Sequence, residues 1–194
     1  MLNFSRQGKT ETEATNLGEV VAGTEGLLSK ALTASINIKT HAPEDLWMVD
    51  INPGDAEDAI VNLCLNARDA MPGGGEVVID VCNTGQRPDW LVAEGKSRAG
   101  AQEFVVLSVS DTGTGMSAPV FAHAIEPFFT TKEVGKGTGL GLSMVREFAK
   151  RSGGFLHIES ELGEGTIVRI ALPRFQGHAE AQQAAQELKS AALP

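Results

Sequence analysis

Between Asp111 and Gly139 seven residues are glycine or proline: Gly113, Gly115, Pro119, Pro127, Gly135, Gly137 and Gly139. Only Val120 to Ile125 reads as a helical turn. A stretch of this composition cannot run through a core as a regular element, because its backbone groups would go unpaired, so it must lie at the surface. A loop of that length in a compact domain is a lid or binding loop, or else disordered. The segments around it have to supply the scaffold.

Upstream, Ala56, Ala59, Ile60, Leu63, Ala67 and Ala70 recur at three and four from Asp55 onward, which predicts a helix with one buried stripe, closed by Pro72-Gly73-Gly74-Gly75. Leu17 to Leu32 carries Leu17, Val20, Val21, Leu27, Leu28 and Leu32 behind a capping Asn16, and predicts a second amphipathic helix. Ile36 to Thr40 alternates, Trp47 to Ile51 follows a Pro43-containing turn, and the two read as neighbouring strands before Asn52-Pro53-Gly54 breaks the run. Val77 to Val81 and Phe104 to Val109 are β-branched runs that read as a hairpin with a long exposed connection, Thr84 to Gln102. Downstream, Leu140 to Ser152 is predicted to be a helix with Leu142, Val145, Phe148 and Ala149 on its inner face, stopped by Gly153-Gly154. Phe155 to Glu159 and Thr166 to Leu172 alternate as strands around Gly163-Glu164-Gly165. Beyond Pro173 the chain is rich in Ala and Gln with little apolar stripe, which predicts a frayed helix or disorder. No internal repeat is visible.

The 194 residues suit one domain, and 42% hydrophobic residues suffice for a core. A net charge of −9 opposes phosphate backbones and anionic lipid, which argues against nucleic acid as a partner. Cys64 and Cys82 form no CxxC and lie in apolar segments, so both read as small buried reduced thiols, which fits a reducing compartment. No apolar run approaches a membrane span, and Met1 to Lys9 lacks the apolar core of a signal peptide.

Four constellations carry chemistry. Asn62, Asn66 and Asp69 share one helical face, either as a solvated stripe or as a metal and phosphate face, since hard Mg²⁺ takes amide and phosphate oxygens. Asp111 follows a strand and opens Asp111-Thr112-Gly113-Thr114-Gly115-Met116. It is either the start of a plain turn or an acceptor for an exocyclic amine such as adenine N6, with Gly113 and Gly115 permitting close backbone approach. Glu126-Pro127-Phe128-Phe129-Thr130-Thr131-Lys132 offers an aromatic clasp or a phosphate-reaching lysine. Gly135-Lys136-Gly137-Thr138-Gly139-Leu140-Gly141-Leu142 runs into a helix without matching the P-loop or Rossmann patterns, yet bare amides at a helix N-terminus form an anion site.

In order and spacing, these four segments resemble the N, G1, F and G2 boxes of the histidine-kinase branch of the GHKL nucleotide-binding superfamily, over about Asp45 to Pro173. The resemblance implies a two-layer α/β sandwich of the Bergerat type, a mixed sheet with three helices on one face and ATP under a mobile lid. Asn62 and Asn66 would be the catalytic pair, Asn66 as the Mg²⁺ ligand and Asn62 against phosphates and metal. Asp111 would bind the adenine amine, and Gly113 and Gly115 would hinge the lid. Gly137, Gly139 and Gly141 would supply phosphate-facing amides, and Thr166 would support adenine through water. Arg68 and Lys132 are candidate phosphate contacts. Asp69, Met116, Thr130, Thr131, Thr138, Leu140 and Leu142, which stand within the boxes, complete the implied ATP-binding set.

By the same resemblance, residues 1–15 would be the end of a dimerisation helix and a linker, 16–174 the catalytic domain and 175–194 a tail. None of His41, His123, His157 and His178 has a phosphoacceptor setting. The implied function is to hold Mg·ATP and donate its γ-phosphate to a histidine on a separate helical domain, with a response-regulator receiver downstream and the isolated domain monomeric. The related topoisomerase, mismatch-repair and chaperone ATPases carry a general-base glutamate four residues before the metal-binding Asn, where this chain has Asn62, and an amide cannot take a proton from water. The alternatives are such an ATPase or a non-catalytic, anti-sigma-like nucleotide module.

Overall fold

The computed structural model describes residues 11–32, 34–85, 88, 90, 103–133 and 137–177. Strand β1 (Glu13–Thr15) leads into helix α1 (Leu17–Ala31), and β2 (Ile36–His41) and β3 (Val49–Ile51) precede α2 (Pro53–Ala70). Then come β4 (Gly75–Thr84), β5 (Phe104–Asp111), a short α3 (Ala118–His123), α4 (Gly141–Arg151), β6 (Phe155–Glu161) and β7 (Gly165–Pro173).

The period-2 alternation of the long strands builds the main sheet. Its order is β2-β4-β5-β7-β6, with β2 parallel to β4 and every other pair antiparallel. The register sets Ile79 opposite Val109 and Val109 opposite Val168, so one face carries Val77, Ile79, Val81, Val105, Leu107, Val109, Val168, Ile170 and Leu172, all buried. Helices α1, α2 and α4 join that face in one core. The α/β sandwich with a mixed sheet is thus as the resemblance implies.

The helix ends follow from their caps. Asn16 Oδ1 accepts from Gly18 N at 2.8 Å to start α1, and Asn52 Oδ1 accepts from Asp55 N at 3.0 Å behind Pro53 to start α2. Alanines at 56, 59 and 67 on the buried stripe of α2 keep its side chains short on the face it shares with α1 and α4. Burial of Ile60 and Leu63 there contributes about 1.5–3 kcal/mol each. Gly74 (φ 89°) then turns the chain into β4, in a place where a β-carbon would stand 2.5 Å from the Ser35 carbonyl oxygen.

Two expectations change. β2 and β3 are not neighbours: β2 pairs in parallel with β4, a pairing that needs a long crossover, and the crossover takes β3 out of the sheet to pair with β1. Strand β1 itself has too short a pattern to be read in sequence. Cys82 is exposed, because it falls on the outward positions of β4, whereas Cys64 is buried in α2 with its thiol pushed up to about 12 by burial. His157 lies on the outer sheet face, stacked on Trp90 at 4.8 Å. Most of the Thr84 to Gln102 connection, and the tail beyond residue 177, lie outside the described residues. Among the described residues no helix is long and apolar enough to cross a membrane.

Candidate functional site

Asp111 is the last residue of β5, and its carboxylate is held in place by backbone N–H groups. Oδ1 accepts from Gly113 N at 2.8 Å, and the Thr166 N–H on the neighbouring β7 also donates to the carboxylate. Burial nevertheless dominates and pushes this carboxyl above the usual range. Such a group is an oriented, partly desolvated acceptor. Beside it, Thr166 Oγ1 pairs with Ser160 Oγ at 2.9 Å, a partner that strand pairing supplies.

Packing explains the glycines that follow. A β-carbon on Gly113 would stand 2.8 Å from Ala70 Cβ at the end of α2. Gly115 (φ 61°) lies against the Glu161 carbonyl in the β6–β7 turn, and Gly165 (φ 87°) lies against the Asp111 carbonyl. Thr114 is bound on both sides, its N–H to Ala70 O at 3.0 Å and its carbonyl to Gly163 N at 2.8 Å. The loop is thereby clamped between α2 and the β6–β7 turn, a clamp that sequence reasoning missed because nothing local signals it. Met116 follows, half-buried.

About one and two turns back along α2 from Ala70, Asn66 and Asn62 face the start of α4. A β-carbon on Gly141 would stand 3.2 Å from Asn66 Nδ2 and 3.8 Å from Asn62 Oδ1, so the first residue of α4 meets both amides across the site. Leu140, the N-cap, makes no capping hydrogen bond through its side chain. The first amides of α4 therefore remain as donors, and the helix dipole adds positive potential there. From Ala70 to Asn62 the helix rises by about 12 Å, which separates the Asp111 end from the α4 end. Leu142 packs onto the core, so what it offers the site is its backbone.

The aromatic segment closes on the glycine loop. Phe128 has φ 68°, the only positive φ among the described non-glycine residues, and its N–H donates to Gly139 O at 2.9 Å. Gly139 (φ 65°) lies so close to the Phe128 backbone that no side chain fits. Phe128 is 75% exposed while Phe129 tilts against His123 at 5.6 Å, so the two rings do not form a folded clasp. Thr130 Oγ1 accepts from Lys132 N at 3.2 Å and borders Gly137, Thr131 is exposed, and Thr138 Oγ1 accepts from Leu140 N at 3.3 Å. Gly135 and Lys136 lie outside the described residues.

The charged groups gather at Asp69. Arg68 donates to Asp69 Oδ1 from Nε at 2.9 Å and Nη2 at 2.7 Å, and from Nη1 to Ala31 O at 3.1 Å, while Lys132 Nζ pairs with Asp69 Oδ2. Burial pushes the Asp69 carboxyl up, but the two cations outweigh it and hold it below the usual range.

Known proteins are similar to this chain in sequence and in fold. The family model described as histidine kinase-, DNA gyrase B- and HSP90-like ATPase matches residues 52–176. The sensor kinase CckA of Brucella abortus (strain 2308) is 44% identical over 174 residues, 90% of this chain and 18% of that protein. Two-component sensor PprA of Pseudomonas aeruginosa is 32% identical over 175 residues, 88% of this chain and 17% of that protein, so the chain spans about a fifth of these relatives. Among solved structures, the mycobacterial sensor histidine kinase MprB superposes with TM-score 0.63 at 21% identity, covering 84% of this chain and 97% of that one. Full-length ShkA in complex with AMPPNP does so with TM-score 0.66 at 22% identity, covering 86% of this chain and 32% of that one. With the matched region running from the cap of α2 to beyond β7, the chain belongs to the family of histidine kinase-, DNA gyrase B- and HSP90-like ATPases.

Proposed function

We propose that this chain is the ATP-binding catalytic domain of a two-component sensor histidine kinase, holding Mg·ATP and donating the γ-phosphate to a histidine on a separate helical dimerisation domain, for onward transfer to a receiver domain. The observation that carries the reading is the meeting of Asn62 and Asn66 with Gly141 at the uncapped start of α4, with Asp111 fixed at the other end of the same helix. Phosphoryl transfer asks a protein mainly to position groups and neutralise charge, and this geometry does both. Asp111 accepts from the adenine amine. The amides of Gly137, Gly139 and Gly141 face the phosphates at the positive end of α4, and Lys132 adds a cation.

The donor set also fits a hard divalent cation. Among the described residues no three His, Cys, Asp or Glu side chains gather as a metal site, while the Asn66 and Asn62 amide oxygens stand at the phosphate end. Asn66 would hold Mg²⁺, which neutralises phosphate charge when bound. Asn62 occupies the position of a hydrolytic base and cannot serve as one, which favours transfer to a histidine over hydrolysis. The described histidines fit no acceptor role in this fold: His41 ends β2, His157 sits on the outer sheet face, and His123 pairs with Glu126 at 3.0 Å.

We place the catalytic unit at 16–174, with 1–15 entering from a dimerisation helix and 175–194 as a tail, in a cytosolic portion of the kinase that is monomeric in isolation. The pairing of β1 with β3 supports an entry along that edge. Calorimetry with ATP and ADP, with and without Mg²⁺, tests the reading: Mg²⁺-enhanced binding supports it, and no heat with either nucleotide overturns it.

A further inference from the structure

Asp69 stands three residues beyond Asn66, on the same face of α2. Both of its oxygens are taken by cations, Oδ1 by Arg68 and Oδ2 by Lys132, and Arg68 is itself tied to the Ala31 carbonyl. Lys132 comes from a loop 63 residues further along the chain. Its stem runs beside the glycine segment: a β-carbon on Gly137 would stand 3.0 Å from Lys132 Cδ and 3.1 Å from its Cβ. The ammonium is thus delivered to a point between α2 and the backbone that leads into α4, one helical turn from Asn66. Only one of its three donors is used by Asp69.

We propose that Asp69 is a positioning residue that touches no nucleotide itself and holds the Lys132 ammonium between α2 and the glycine segment, where its remaining donors take the β- or γ-phosphate oxygens. The inference rests on the ATP-binding reading above. A lysine side chain has large rotamer freedom, and an anchor that freezes it before the ligand arrives removes that cost from binding. The alternative is simple electrostatics, in which an anion beside the phosphates repels them and its removal tightens binding. The two ideas differ in sign.

The test is calorimetry with Mg²⁺ and either AMP or ATP on the wild-type chain, Asp69→Asn, Asp69→Glu, Lys132→Gln and the Asp69→Asn/Lys132→Gln double variant. Asp69→Asn and Lys132→Gln should each weaken ATP binding by about tenfold, comparable to freeing one lysine. AMP affinity should stay within about twofold, and Asp69→Glu should recover most of the ATP affinity. The double variant should bind ATP no more weakly than Lys132→Gln alone, because Asp69 acts only through Lys132. Unchanged or tighter ATP binding by Asp69→Asn overturns the proposal, as does a parallel fall for AMP or additive losses in the double variant. If the wild-type chain binds neither nucleotide, the ATP reading fails and this role with it, a result seen in the wild-type titration before any variant is compared.

Discussion

Replacing Asp111 by Asn changes charge with almost no change of shape, at a group whose surroundings are well defined. The wild-type carboxylate accepts from the Gly113 and Thr166 N–H groups and has lone pairs left for the adenine amine. An asparagine keeps one carbonyl oxygen and turns an NH₂ either toward the Thr166 N–H or toward the incoming amine, and both arrangements set donor against donor. Hydrogen bonds to a charged group contribute about 1.5–3 kcal/mol, so ATP affinity should fall by roughly 10- to 150-fold. Stability should move less, because burial already raises the pKa of this carboxyl and a neutral amide avoids that desolvation cost. The assay is calorimetry with ATP and Mg²⁺ beside thermal unfolding of the same samples. Wild-type affinity in the variant would remove Asp111 from the site, and a collapse of the melting temperature with the affinity would make its role structural.

Three further outcomes are expected. The pH dependence follows from the same group: its pKa is raised and the charged form is the stronger acceptor for the amine, so ATP binding should weaken as pH falls through that raised pKa, while Asp111→Asn should lack this step; equal profiles by calorimetry would contradict it. Gly165→Ala should destabilise the fold by about 2–4 kcal/mol in urea unfolding, since φ is 87° and the new methyl would overlap the Asp111 carbonyl; a loss under about 0.5 kcal/mol would show that the turn relaxes. Incubated with γ-labelled ATP, the chain alone should acquire no acid-labile, base-stable label, and an added histidine-bearing helical domain should; stoichiometric label on the isolated chain would place the acceptor within it.

The regular elements were legible because each depends on near neighbours in sequence. The stripe from Ala56 to Ala70 is a period of 3.6, and Asn16 and Asn52 act on amides two and three residues away. The β-branched runs Val77 to Val81 and Phe104 to Val109 mark strands whatever covers them. The boxes were legible for the same reason: four short patterns in a fixed order survive without knowledge of what they touch. Cys82 shows the limit of that reasoning, since the two faces of a strand differ only in what lies across from them.

Long-range geometry was decided by the tertiary structure. Periodicity does not tell which strands pair, and the parallel β2–β4 match displaces β3 onto β1 because the crossover through α2 must be accommodated. Gly113 and Gly115 read in sequence as freedom for a hinge, and the fold shows them wedged between Ala70 and the Glu161 to Gly165 turn. Lys132 read as either a clasp neighbour or a phosphate ligand, and folding brings it to Asp69 across 63 residues. Local patterning thus determined the elements and the chemical inventory of the site, while the pairing of distant segments, which depends on the closure of long loops and on packing, decided which of those groups meet.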